Sequence, residues 1–121
     1  MDTECFMVNP KIIDVRFYMS DSGALPVRDW LQKLPSEDRK NIGKDIRTVE
    51  FGWPLGMPIV KKIGADLWEV RSNLLNNRTA RIIFTVEEHL MILLHGFIKK
   101  SDKITKNDLR IAKQRMSKVK G

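Results

Sequence analysis

The chain has 121 residues, of which 42% are hydrophobic and 31% charged, a balance that fits one domain, residues 1–121, with a substantial core and argues against two. No run approaches the roughly 18 unbroken apolar residues of a membrane span, and the single cysteine, Cys5, excludes an intrachain disulfide and points to a reducing compartment. The net charge of +7 is uneven: residues 1–60 carry 8 Lys and Arg against 9 Asp and Glu, whereas residues 61–121 carry 14 against 6, an asymmetry that suits a polyanion-binding surface as well as simple solubility.

The acidic start, Asp2 to Glu4, lacks the basic flank of a secretion signal, so a cytoplasmic protein is expected. Ile12 to Met19 is β-branched and aromatic with partial alternation, and Ser20-Asp21-Ser22-Gly23 follows it; this predicts a strand and a turn. Val27, Trp30, Leu31 and Leu34 fall at helical spacing behind Pro26, which suits a first helical turn. Pro35 ends that helix. Ser36 with Glu37 and Asp38 predicts the N-cap and acidic first turn of a second, with Ile42, Ile46 and Val49 as its buried stripe. Two helices joined by a short turn suggest a helical hairpin. Arg39, Lys40, Lys44 and Arg47 read as its solvated surface, since this half has no net positive charge.

The Gly- and Pro-rich stretch 52–58 leads into a turn at Lys61-Lys62-Ile63-Gly64. From Leu67, a period of two places Trp68, Val70, Ser72 and Leu74 on one face and Glu69, Arg71 and Asn73 on the other. Asn76-Asn77 makes a turn, and the return strand puts Ala80, Ile82, Phe84 and Val86 opposite Arg81. An antiparallel pair in suitable register brings Arg71 and Arg81 onto one surface. Leu90 to Leu94 is apolar throughout, as in a strand covered on both faces. Thr105 and Asp108 resemble a capping box for a last helix, with Leu109, Ala112, Met116 and Val119 inward and Lys106, Arg110, Lys113 and Lys120 outward.

Cys5, His89 and His95 show no metal-ligand spacing, and no phosphate-binding glycine loop is present. What remains is cationic: Lys61, Lys62, Arg71, Arg81, Lys99 and Lys100. Such groups hold phosphates and stabilise the extra charge of a pentavalent phosphorane. Cleavage by a ribose 2′-hydroxyl needs orientation and charge stabilisation and no metal. Each has a bland alternative: Arg71 as a surface ion pair with Glu69 or Glu50, Lys99-Lys100 as a solvated strand end, His95 as a structural histidine, Trp68 and Phe97 as core.

Gly23 to Leu31, Lys62-Ile63-Gly64 before Leu67-Trp68-Glu69-Val70-Arg71, Ala80 to Phe84 and above all Leu94-His95-Gly96-Phe97-Ile98-Lys99-Lys100-Ser101 resemble the phage Gp49-like, HigB-type branch of the RelE superfamily of type II toxin–antitoxin toxins. The resemblance spans nearly the whole chain. It implies an α+β fold, with an N-terminal helical hairpin packed on a small, twisted, mostly antiparallel sheet and a short C-terminal helix. It implies a metal-independent, cofactor-free, ribosome-dependent mRNA endonuclease acting in the A site of a bacterial or phage-encoded system. Its partners would be the ribosome, messenger RNA and a helix-turn-helix antitoxin, through which alone it would meet operator DNA, and no membrane. By position, Lys62, Arg71, Arg81, Lys99 and His95 would be catalytic, and Lys61, Asn73, Lys100, Lys106, Arg110 and Lys113 would meet RNA or ribosome. A non-enzymatic toxin on the same fold, ParE-like and directed at DNA gyrase, is the alternative. Ala80 replaces the aromatic that often precedes the arginine, Ile104-Thr105 the usual Thr-Pro, and no tyrosine follows Lys100. The group that takes the 2′-hydroxyl proton is therefore open.

Overall fold

The structure is a computed structural model and describes residues 10–99 and 103–121; Cys5 and Lys100 lie outside them. Its elements are β1 (Asp14–Phe17), α1 (Pro26–Gln32), α2 (Ser36–Gly52), β2 (Val60–Gly64), β3 (Leu67–Asn73), β4 (Thr79–Glu87), β5 (Leu90–Lys99) and α3 (Lys106–Lys120). The strands form one mixed sheet in the order β1-β5-β4-β3-β2. Strands β2 to β5 run as an antiparallel meander, and β1 adds to β5 in parallel. No helix among the described residues is long and apolar enough to cross a membrane.

Period-two alternation divides the sheet between two apolar layers. Val70, Leu74, Ala80, Ile82, Phe84, Met91 and Leu93 pack with Val27 of α1 and Ile42, Ile46 and Val49 of α2. On the other face Leu67, Ile83, Ile92 and Leu94 pack with Ala112, Leu109 and Met116 of α3. The sheet thus has helices on both sides.

The expected hairpin takes a different form. Helix α1 has 7 residues and lies against β5 and β1, whereas α2 lies against β3 and β1; each is fixed by the sheet. Three acids tie α2 down along one side. Asp38 takes two hydrogen bonds from Arg78 at 3.0 and 3.1 Å. Asp45 accepts from the Ser72 hydroxyl at 2.5 Å, and Glu50 accepts from the Val15 amide at 3.0 Å. Hydrogen bonds to charged groups of this kind contribute roughly 1.5–3 kcal/mol each.

Two local expectations are corrected, and one pairing is new. Ser36 sits inside α2, whose N-cap is Pro35 with no side-chain hydrogen bond, because the proline holds an extended φ of −55° and ψ of 150° and cannot continue a helix backwards. Lys61 to Gly64 is strand rather than turn; its pairing with β3 breaks register between Lys62 and Gly64, and the turn falls at Ala65-Asp66. The first strand pairs in parallel with a distant partner, which local alternation does not encode. Half of the expected capping box is present: Thr105 Oγ1 accepts from the Asp108 amide at 3.1 Å, but the Asp108 carboxylate is turned to the Thr105 hydroxyl and His95.

Strand β5 carries a second irregularity. Ile83 faces His95 while Phe84 faces Leu93, so Leu94 is an extra residue, a β-bulge. Leu93 points to the helix pair and Leu94 to α3. The bulge then turns His95 to the α3 side as well, where Asp108 meets it. Arg115 of α3 donates to the displaced Leu94 carbonyl at 2.7 Å. Gly96 comes next, and a Cβ there would stand 2.5 Å from the Trp30 ring, so only glycine admits that packing.

Candidate functional site

Strand register sets the α3 side of the sheet out as a grid. One row runs Lys61, Glu69, Ile83, His95; the next Arg71, Arg81, Phe97; the next Asn73, Thr79, Lys99. Neighbouring strands are about 4.8 Å apart. Two arginines directly opposite each other repel, and Glu69, diagonal to Arg81 and beside Arg71, offsets that repulsion. Glu69 Oε1 stands 3.9 Å from Arg81 Nη1.

The two arginines differ in access. Arg71 is half-buried and lines a cavity of about 420 Å³ with Asn41, Lys44, Asp45 and Asn73. Arg81 is only 2% exposed and is reached through a second cavity of about 280 Å³, shared with Lys61, Ile63, Glu69, Lys103 and Ile104. Burial pushes the Glu69 carboxyl above the ordinary glutamate range, against the pull of Arg81, Arg71 and Lys61.

His95 donates from Nε2 to Asp108 Oδ1 at 2.8 Å, and the Thr105 hydroxyl donates to Oδ2 at 2.6 Å. Burial raises the Asp108 carboxyl, but the hydrogen bonds from Thr105 and His95 and the charges of His95 and Lys99 outweigh it and hold the group below the ordinary aspartate range. An ionised, doubly held Asp108 fixes the proton on Nε2 and leaves Nδ1 as the nitrogen that exchanges protons. Phe97 lies beside the imidazole, ring centroids 5.5 Å apart.

The structure therefore brings together Lys61, Arg71, Arg81, His95, Asn73 and Lys99 on one face. Lys62 is not among them. Its ammonium lies over the Trp68 ring at 5.7 Å, on the opposite face, where a cation–π contact accounts for it. Lys106, Arg110 and Lys113 are exposed on α3, and Arg110 spends its guanidinium on Asn107 and Gln114. Glu69, Asp108, Thr105 and Lys103 were not foreseen as site residues. Glu69 had one signal, an acid interrupting a basic strand face; Asp108 was read only as a cap, because its bond to His95 depends on the bulge.

The sequence model of a family described as phage derived protein Gp49-like matches residues 29–117, a span that holds α2, β2 to β5 and nearly all of α3. No curated protein matches the chain.

Proposed function

This chain belongs to the Gp49-like family of phage-derived proteins, a family of RelE- and HigB-type toxins, and from that premise we propose that it is the toxin of a type II toxin–antitoxin pair that cuts messenger RNA on the ribosome. The observation that carries the reading is Arg71 directly opposite Arg81, with Lys61 and Lys99 in the adjoining rows of the same face. A surface that sets four cations within a few strand spacings, with one acid among them, matches a chain of phosphodiesters in sign and spacing.

Arg71, Lys61 and Lys99 hold the scissile phosphate and its neighbour and stabilise the charge that builds on the phosphoryl oxygens. Arg81, buried behind them, acts on the phosphate through a lower effective dielectric. His95, locked by Asp108 and Thr105, is the proton-transfer group nearest the row of arginines. The attacking group is the 2′-hydroxyl of the RNA itself. The cognate partner is a helix-turn-helix antitoxin that neutralises the toxin, and the protein works in the cytoplasm of its host.

A translation extract with a defined messenger tests this. Purified protein should produce discrete cuts only while ribosomes engage the message, and Arg71→Ala should lower cutting at least a hundredfold with the fold intact. Intact message beside arrested DNA supercoiling would overturn the reading in favour of a gyrase-directed toxin.

A further inference from the structure

Glu69 is a buried carboxylate on a face otherwise set with cations. Its side chain is 1% exposed and lies at the cavity walled by Lys61, Arg81, Lys103, Ile63 and Ile104. Oε1 faces Arg81, while Oε2 is buried with no hydrogen-bond partner among the described residues. A buried carboxylate oxygen without a donor is costly, and structures keep such a group where a ligand completes it. An ionised carboxylate only accepts hydrogen bonds, whereas the lysines and arginine around it attract an anion. The ligand that meets both demands carries a hydroxyl beside a phosphodiester. Ribose in an RNA strand does so; deoxyribose does not.

We propose that Glu69 Oε2 accepts the 2′-hydroxyl of bound RNA, so that this cavity selects ribose over deoxyribose and receives the hydroxyl proton when the strand is cut. This rests on the RNA-cleaving role proposed above and supplies the proton acceptor that the chain's lack of a tyrosine after Lys100 left open. In the step, the 2′-O–H bond breaks as the proton passes to Glu69, the 2′-oxygen bonds to phosphorus, and the phosphorus–5′-oxygen bond breaks. The leaving 5′-oxygen takes the Nδ1 proton of a His95 imidazolium whose Nε2 proton stays hydrogen-bonded to Asp108, giving a 2′,3′-cyclic phosphate and a 5′-hydroxyl and leaving Glu69 protonated and His95 neutral. Glu69 and His95 share a row with Ile83 between them, about 10 Å apart along the sheet. An in-line displacement puts entering and leaving oxygens on opposite sides of phosphorus, so base and acid have to stand apart in this way.

Binding separates the proposal from the cleavage reading, because it needs no ribosome. Fluorescence anisotropy would compare a short single-stranded RNA with its 2′-deoxy and 2′-fluoro counterparts, neither of which can donate at that position. Wild-type protein should bind the RNA about tenfold more tightly than either, the size of one charge-assisted hydrogen bond. Glu69→Gln keeps an acceptor but loses the charge, so its preference for RNA over the deoxy strand should fall to about twofold, while its affinity for both strands rises with the loss of an anion from the basic face. The wild-type comparison requires no variant to fold. Equal wild-type affinity for the three strands, absence of binding, or an undiminished preference in a folded Glu69→Gln protein would overturn the proposal. A ribose preference that depends on Glu69, in a protein that leaves translating messages intact, would instead reject the cleavage reading and with it only the proton-transfer half.

Discussion

At the scale of single residues, two acids on the α3 side of the sheet have opposite electrostatic fates, and each makes a stability prediction. The Asp108 carboxyl is held below its ordinary value of 3.8, so its contribution is complete above that pH and disappears as pH falls through the lower folded value. Asp108→Asn should cost about 1–2 kcal/mol at neutral pH and flatten the acid limb of the urea-midpoint profile. The Glu69 carboxyl is raised above 4.5, so the folded state holds the proton more tightly than the unfolded chain. Stability then falls as pH rises from 4.5 toward the folded value. Glu69→Gln removes that penalty and should melt at or above the wild-type temperature at pH 7. A drop of several degrees would mean that the pairing with Arg81 outweighs the desolvation. Arg81→Met, by contrast, removes the nearest cation from a buried carboxylate and should cost roughly 3–5 kcal/mol in the same melts.

At the scale of elements, the bulge in β5 and the first turn of α3 act as one device. The bulge aims His95, and α3 supplies the Asp108 that holds it. Gly96→Ala places a methyl carbon against the Trp30 ring, which should cost roughly 1–3 kcal/mol by overpacking and displace β5 enough to loosen the His95 bond. Amide and imidazole NMR shifts of β5 would register both. Thr105→Ala should cost about 1 kcal/mol as a lost N-cap. Alternation within β3 and β4 and the 3.6-residue stripes of α2 and α3 were legible in the sequence because they are local and repeat with the period of the element. The common surface of Arg71 and Arg81 was legible from alternation, but their direct facing was not: a two-residue turn at Asn76-Asn77 would pair Arg71 with Ile82, whereas Leu74 bonds Arg78 across a three-residue loop in which both asparagines have positive φ, 64° and 58°, which asparagine tolerates. The bulge was not legible, since one extra residue leaves no mark on a wholly apolar run. Neither was β2: a lysine pair beside a glycine resembles a turn until a neighbouring strand is there to pair with it.

At the scale of the molecule, charge is sorted by layer. Lys40 and Arg47 of α2 are exposed and are not among the residues lining the cavity around Arg71, so Lys40→Gln with Arg47→Gln should leave growth arrest unchanged, whereas Lys61→Gln with Lys99→Gln should abolish it and lower the salt sensitivity of RNA binding by close to two counterions. Plating efficiency and a salt titration would check both. The parallel pairing of β1 with β5 has a further consequence, for the order in which the protein is made. Asp14 waits for Leu90, and Lys99 completes the last row of the basic grid, so among the described residues the first strand is paired only by the last. The intervening meander folds from neighbouring segments at small loop-closure cost. A nascent chain from which β5 has not yet emerged therefore has neither a paired first strand nor a finished basic face.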